Sequence, residues 1–182
     1  MWHSQRNFIF IAVGLVLVVL SVWQIWAAYQ GVEVIHARPD GLPLSILYPE
    51  EGAPGSRPLV LVGHGFAGSD ILMRGFALTF VKAGYVVAAW DFDGHAANAR
   101  DWDADSLIQN PQTALIEVRA RQLADTSQIA ILGHSMGSGV ALTFGQQFPE
   151  TAATIAISPV GRSVTPQLPH NLLLMAGSLE TA

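Results

Sequence analysis

The chain has 182 residues, with 9 Lys+Arg against 14 Asp+Glu, a formal net charge of −5 and a charged fraction of only 13%. This balance lacks the basic face of a nucleic-acid binder, and 51% hydrophobic residues with 17 Gly and 10 Pro exclude disorder as the main state. The absence of cysteine excludes disulfides, thiolate metal sites, iron–sulfur clusters and a thiol nucleophile, so the chemistry must rest on oxygen or nitrogen.

The first predicted element is a membrane-spanning helix. Phe8 to Ala28 reads FIFIAVGLVLVVLSVWQIWAA, without a charge. As a helix it would be about 32 Å long, against a hydrocarbon core of about 30 Å. Trp23, Trp26 and Tyr29 cluster at one end and Trp2 stands near the other, where amphipathic rings favour the headgroup region. A cleaved signal peptide is the rival, but its apolar core is shorter and the exit through Trp26 and Tyr29 lacks a small-x-small cleavage site. Arg6 before the span, with no positive charge after it until Arg38, orients the N-terminus inside and the following domain on the non-cytoplasmic side. Residues 1–30 are thus expected to form the anchor and 31–182 a single globular domain, with the lipid bilayer as one partner.

From Gln30 onward, short β-rich runs punctuated by Gly, Pro and Asp alternate with helical stretches, which predicts an α/β domain. Val32 to Ala37 and Leu44 to Tyr48 read as an antiparallel pair at a sheet edge, joined through Pro39-Asp40-Gly41. Leu59 to Val62 is apolar throughout, as in a strand covered on both faces. A helix capped by Ser69 or Asp70 then runs to Lys82 and stops at Gly84. Tyr85 to Trp90 is a buried strand, followed by a polar loop with Asp101, Asp103 and Asp105 and a helix from near Pro111 to Leu123. A strand at Gln128 to Leu132, a helix from Met136 to Phe148 and strands at Ala153 to Ile157 and Leu172 to Ala176 complete the pattern. Between the last two, Ser158 to Asn171 is too short for a lid domain.

The chemistry concentrates at Gly133-His134-Ser135-Met136-Gly137, a G-x-S-x-G match between a predicted buried strand and a predicted helix. A sharp strand-to-helix turn forces the serine into a strained backbone conformation, and Gly133 and Gly137 remove Cβ atoms that would collide there. The hydroxyl then stands clear of the sheet, with the helix N-terminus and the Met136 N–H directed at the place where negative charge develops. A glycine-rich turn with serine as a mere N-cap is the bland alternative. The turn has neither the Gly-Lys-Ser/Thr of a P-loop nor a three-glycine dinucleotide fingerprint.

His64-Gly65-Phe66 leaves a neighbouring strand at the same carboxyl edge, which makes the Phe66 N–H the second candidate oxyanion donor. Gly65 allows close backbone approach, and His64 is expected to hold the loop by hydrogen bonding rather than to act as the base, with an ordinary loop histidine as the alternative. His134, whose side chain diverges from that of Ser135 on a tight turn, reads as packing within it. His95 is the one histidine considered as a substitute base. Asp91, Asp93 and His95 have metal-like spacing, but a solvated acidic loop is the expectation, and no metal or cofactor is called for. Phe66, Phe92 and Met136 are candidates for an acyl pocket, with core packing preferred.

At HGFAGSD (64–70), DFDGH (91–95), GHSMG (133–137) and LLLMAGSLE (172–180) the sequence resembles the α/β-hydrolase superfamily, most of all the serine esterases and peptidases related to dienelactone hydrolases. The resemblance spans about residues 32 to 180. It implies a mostly parallel sheet with helices on both faces, and Ser135 attacking an acyl carbonyl while Phe66 and Met136 hold the oxyanion. Gly177-Ser178-Leu179-Glu180 matches the family's G-x-x-D exit and implies Glu180 as the triad acid, where the family usually has Asp. The order in this fold is Ser, acid, His, yet no histidine follows Glu180. The expectation is therefore a fold cut after its seventh strand, a fragment without its catalytic His and inactive as it stands, rather than an inactive remnant. The expected activity of the whole is hydrolysis of a small-molecule ester or amide; the competing class is a noncatalytic membrane-tethered binding module.

Overall fold

A computed structural model describes residues 2–53, 55–104, 106–159 and 168–177. The chain divides into two compact units, 1–31 and 32–182. The first is a single helix, α1 (Trp2–Ala28), whose large apolar side chains from Phe8 to Trp26 are exposed. Its stretch Asn7–Ala28, within which an 18-residue window has a mean hydropathy of 2.7, is long and apolar enough to cross a membrane.

The second unit is built on a seven-stranded sheet of order β1-β2-β4-β3-β5-β6-β7. Its strands are β1 (Val32–Ala37), β2 (Leu44–Pro49), β3 (Pro58–Gly63), β4 (Val86–Trp90), β5 (Asp125–His134), β6 (Thr151–Ile157) and β7 (Leu172–Met175). β1 and β2 form the expected antiparallel edge, joined through a short 3-10 turn at Pro39–Gly41, and β2 runs antiparallel to β4. β4, β3, β5, β6 and β7 are mutually parallel. Helices α2 (Arg74–Lys82), α3 (Gln109–Arg121) and α4 (Met136–Gln147) cover both faces.

Alternation along the central strands sorts the core into two layers. Leu59, Leu61, Val86, Ala88, Trp90, Ile129 and Ile131 face α3 and α4, where Leu115, Val118, Val140 and Phe144 meet them. Val60, Val62, Val87, Ala89 and Leu132 face α2, meeting Met73, Ala77 and Val81. A strand apolar at every position is what a sheet sandwiched between helices requires.

Several local expectations are corrected. Neither Ser69 nor Asp70 caps α2: a 3-10 turn, Ile71–Met73, precedes the helix, Met73 takes the cap position, and no side chain caps it. The Asp70 carboxylate instead accepts from the Ser45 hydroxyl at 2.6 Å and pairs with Arg74 at 2.8 Å. α3 begins at Gln109, ahead of Pro111, because a proline in the first turn gives up an N–H that has no intrahelical acceptor. β5 extends back to Asp125, which a register shift between Pro58 and Leu59 lets it reach.

Candidate active site

β3 and β5 are neighbours in register, Gly63 beside Gly133, so the loops that leave their carboxyl ends meet. Ser135 joins β5 to α4 with φ 51° and ψ −117°, a conformation that a non-glycine residue holds only at a cost of about 1–3 kcal/mol. Its backbone is fixed on both sides. Its N–H donates to the Ile157 carbonyl at 2.9 Å, and its carbonyl accepts from the N–H of Ser138 at 2.9 Å and from the Ser138 hydroxyl.

The flanking glycines are needed for space. A Cβ on Gly133 would overlap the carbonyl of Gly137, and one on Gly137 would lie 2.5 Å from the His64 oxygen and 2.7 Å from the Gly63 oxygen. A Cβ on Gly65 would lie 3.1 Å from the Ser135 Cβ and 2.9 Å from His134 Nδ1, so the β3 loop lies directly against the serine. That loop closes as a turn, with Gly68 N–H donating to the Gly65 carbonyl at 3.0 Å and Ala67 at φ 55°. Among the described residues neither the Phe66 N–H nor the Met136 N–H has an acceptor, and the latter is the first orphan donor of α4.

His64 is wholly buried. The Phe92 N–H donates to its Nε2 at 2.9 Å, which leaves Nδ1 as the protonated nitrogen, donating to the Gly65 carbonyl at 2.7 Å. Both ring nitrogens are therefore engaged in bracing the loop. Burial pushes the imidazole below its ordinary value of 6.5, outweighing the Gly65 carbonyl and the Asp91 charge that act the other way. His95 is also buried; its Nδ1–H donates to the Asp93 carbonyl at 2.9 Å, and its ring stands edge-on to Phe66 and His64, centroids 5.2 and 5.6 Å apart.

The DFDGH segment departs from expectation: it is not a solvated acidic loop. Asp91 and Asp93 are 5% and 2% exposed. Asp91 accepts the Asp70 N–H at 2.8 Å and the Ala97 N–H at 3.0 Å. Asp93 accepts from the amides of Asn98 and Asn110. Asp91 thereby ties the β3 loop to the β4 exit, a role that an acid directly after a fully buried strand hints at. Among the described residues no three metal-ligating side chains converge.

A cavity of about 260 Å³ opens over the serine, lined by His64, Phe66, Leu72, Met73, Phe76 and His134 among others. Phe66, expected to pack in the core, is 71% exposed at its rim, whereas Phe92 is fully buried and Met136 packs on the α3–α4 layer. Glu180 lies outside the described residues.

The family model described as serine aminopeptidase, S33, matches residues 54–182. The chain belongs to the serine aminopeptidase S33 family of α/β hydrolases. An uncharacterized protein of Mycobacterium tuberculosis strain H37Rv is 27% identical over 180 residues, covering 96% of this chain and 62% of that protein. Cutinase 2 of Thermobifida cellulosilytica is 30% identical over 121 residues, 63% of this chain and 44% of the cutinase. A bacterial heroin esterase shares the α/β-hydrolase fold with a TM-score of 0.61 at 20% identity, over 72% of this chain and 46% of that one. This S33 chain thus spans about half to two-thirds of the length of such relatives.

Proposed function

We propose that this chain carries the nucleophile half of a membrane-anchored serine hydrolase that cleaves a carboxylic ester, or less readily an amide, through an acyl-enzyme. The observation that carries the reading is the Ser135 backbone: a left-handed φ of 51° at a strand-to-helix turn, held by hydrogen bonds to β6 and α4 and cleared by two glycines. Strain of this kind persists where the surrounding structure enforces it for a purpose.

In the reaction, Ser135 Oγ attacks the acyl carbonyl and loses its proton to a histidine base. The carbonyl oxygen becomes an oxyanion received by the Phe66 and Met136 N–H groups. The C–O bond to the alcohol breaks as the base returns the proton to the leaving oxygen. Water, deprotonated by the same base, then attacks the acyl-serine and releases the acid.

With both His64 nitrogens committed to the loop and the His95 Nδ1–H to the Asp93 carbonyl, the base is assigned to the histidine that follows the acid in the order of this fold. Glu180 is the proposed acid that orients it. α1 serves as the anchor, with Arg6 on the cytoplasmic side and the hydrolase domain across the membrane.

A fluorophosphonate probe on the full-length protein tests this. Labelling should be lost in Ser135→Ala, with kcat for an ester falling by roughly a millionfold. Equal labelling of both forms removes Ser135 from its role, and labelling of neither leaves the noncatalytic module.

A further inference from the structure

We infer that the cavity over Ser135 selects an uncharged, extended apolar acyl group rather than the charged amino terminus of a peptide, and that Leu72 and Phe76 set that preference. The inference rests on Ser135 being the nucleophile. The segment that opens α2 divides its side chains between two cavities: Asp70, Ile71 and Arg74 line one on the β1–β2 side, while Leu72, Met73 and Phe76 line the one over Ser135.

Among the described residues no Asp, Glu, Lys or Arg lines the serine's cavity. The nearby acids are committed elsewhere, Asp70 to Ser45 and Arg74, Asp91 to the N–H groups of Asp70 and Ala97. A peptide's α-ammonium would therefore be desolvated there without a counter-charge, which is strongly unfavourable. Leu72, Phe66 and Phe76 are 72%, 71% and 43% exposed, a cluster of large apolar side chains beside a nucleophile. An acyl chain laid across them takes its own methylenes and theirs out of water together.

The test is kcat/KM on p-nitrophenyl esters from acetate to octanoate, with leucine p-nitrophenyl ester, which carries a free α-ammonium, as the charged alternative, using full-length protein. A methylene fully removed from water raises kcat/KM about fourfold; an open groove recovers about half that free energy, or twofold each, giving roughly 60-fold from acetate to octanoate. Leu72→Asp should lower the octanoate-to-acetate ratio about tenfold, and Phe76→Ala should lower it about threefold. Ile116→Asp, at an equally exposed apolar position on α3 away from the cavity, should leave the ratio unchanged.

A flat series, an unaltered ratio in both cavity variants, or leucine p-nitrophenyl ester turned over as fast as the octanoate overturns the apolar-acyl assignment. If such turnover is abolished by Ser135→Ala, the nucleophile stands and only the specificity is wrong. Turnover that survives Ser135→Ala overturns both.

Discussion

Ser135 is held where it is by absent atoms as much as by present ones. A methyl at Gly137 would press on the Gly63 and His64 carbonyls, backbone atoms of the strand end that carries the neighbouring loop. Neither can yield without moving β3. Gly137→Ala is therefore expected to destabilise by 3 kcal/mol or more, at or above the upper end of about 1–3 kcal/mol for ordinary overpacking. The check is a urea midpoint measured with probe labelling, both of which should fall. His64 supplies the other constraint and a pH dependence. Its folded value lies below 6.5 because burial disfavours the charged ring, so the unfolded chain binds the proton more readily. Its contribution is complete above about 6.5 and is eroded as pH falls through the lowered folded value, because protonation of Nε2 removes the acceptor of the Phe92 N–H. His64→Ala leaves that buried N–H unpaired, at about 1–3 kcal/mol. Denaturation curves between pH 5 and 7 should show a shallower slope in His64→Ala than in the parent; an identical slope would remove His64 as the source.

The strands were legible because burial on both faces leaves little choice of residue. Leu59 to Val62 and Val86 to Trp90 are apolar without interruption, and α2 and α3–α4 explain why each successive side chain needs a partner on alternate sides. The turn at Ser135 was equally readable, since glycine spacing reports the same steric demand whatever the rest of the sheet does. What failed were elements whose polar residues answer to distant partners. Asp70 read as a helix cap but is turned towards Ser45 on β2, and Asp91 read as a solvated loop acid but is sealed beneath two loops. A side chain's oxygen is equally able to accept from the next turn or from an N–H many residues away, and local sequence carries no sign of which. Asp91→Asn tests the corrected reading. One carboxylate oxygen would become an NH₂ facing an N–H donor, either that of Asp70 or that of Ala97. The expected loss is about 1–3 kcal/mol. A solvated acid would change stability by less than about 0.5 kcal/mol, so the denaturation midpoint separates the two.

The molecule joins two units that solve the hydrophobic problem differently. The sheet unit buries its apolar runs between helices, whereas α1 exposes Phe8 through Trp26 with nothing in its own unit to cover them. A helix apolar around its whole circumference is stable in a bilayer or in the core of a larger assembly. The proposed anchor would place Trp23, Trp26 and Tyr29 at one headgroup region and the aliphatic residues and glycine of the centre in the hydrocarbon. Those two environments respond differently to charge. A carboxylate at the midpoint of a span is opposed by about 2.5–3.5 kcal/mol, so Val16→Asp together with Val19→Asp should oppose insertion by roughly 5–7 kcal/mol. The parent protein is expected to remain in the membrane pellet after a carbonate wash, and the double variant to appear in the soluble fraction. Sequencing the mature N-terminus separates the anchor from a signal peptide: a chain that starts before Phe8 keeps its span, whereas one that starts at or after Tyr29 has lost it. Recovery of the unmodified parent in the soluble fraction would show that α1 finds its cover in protein instead.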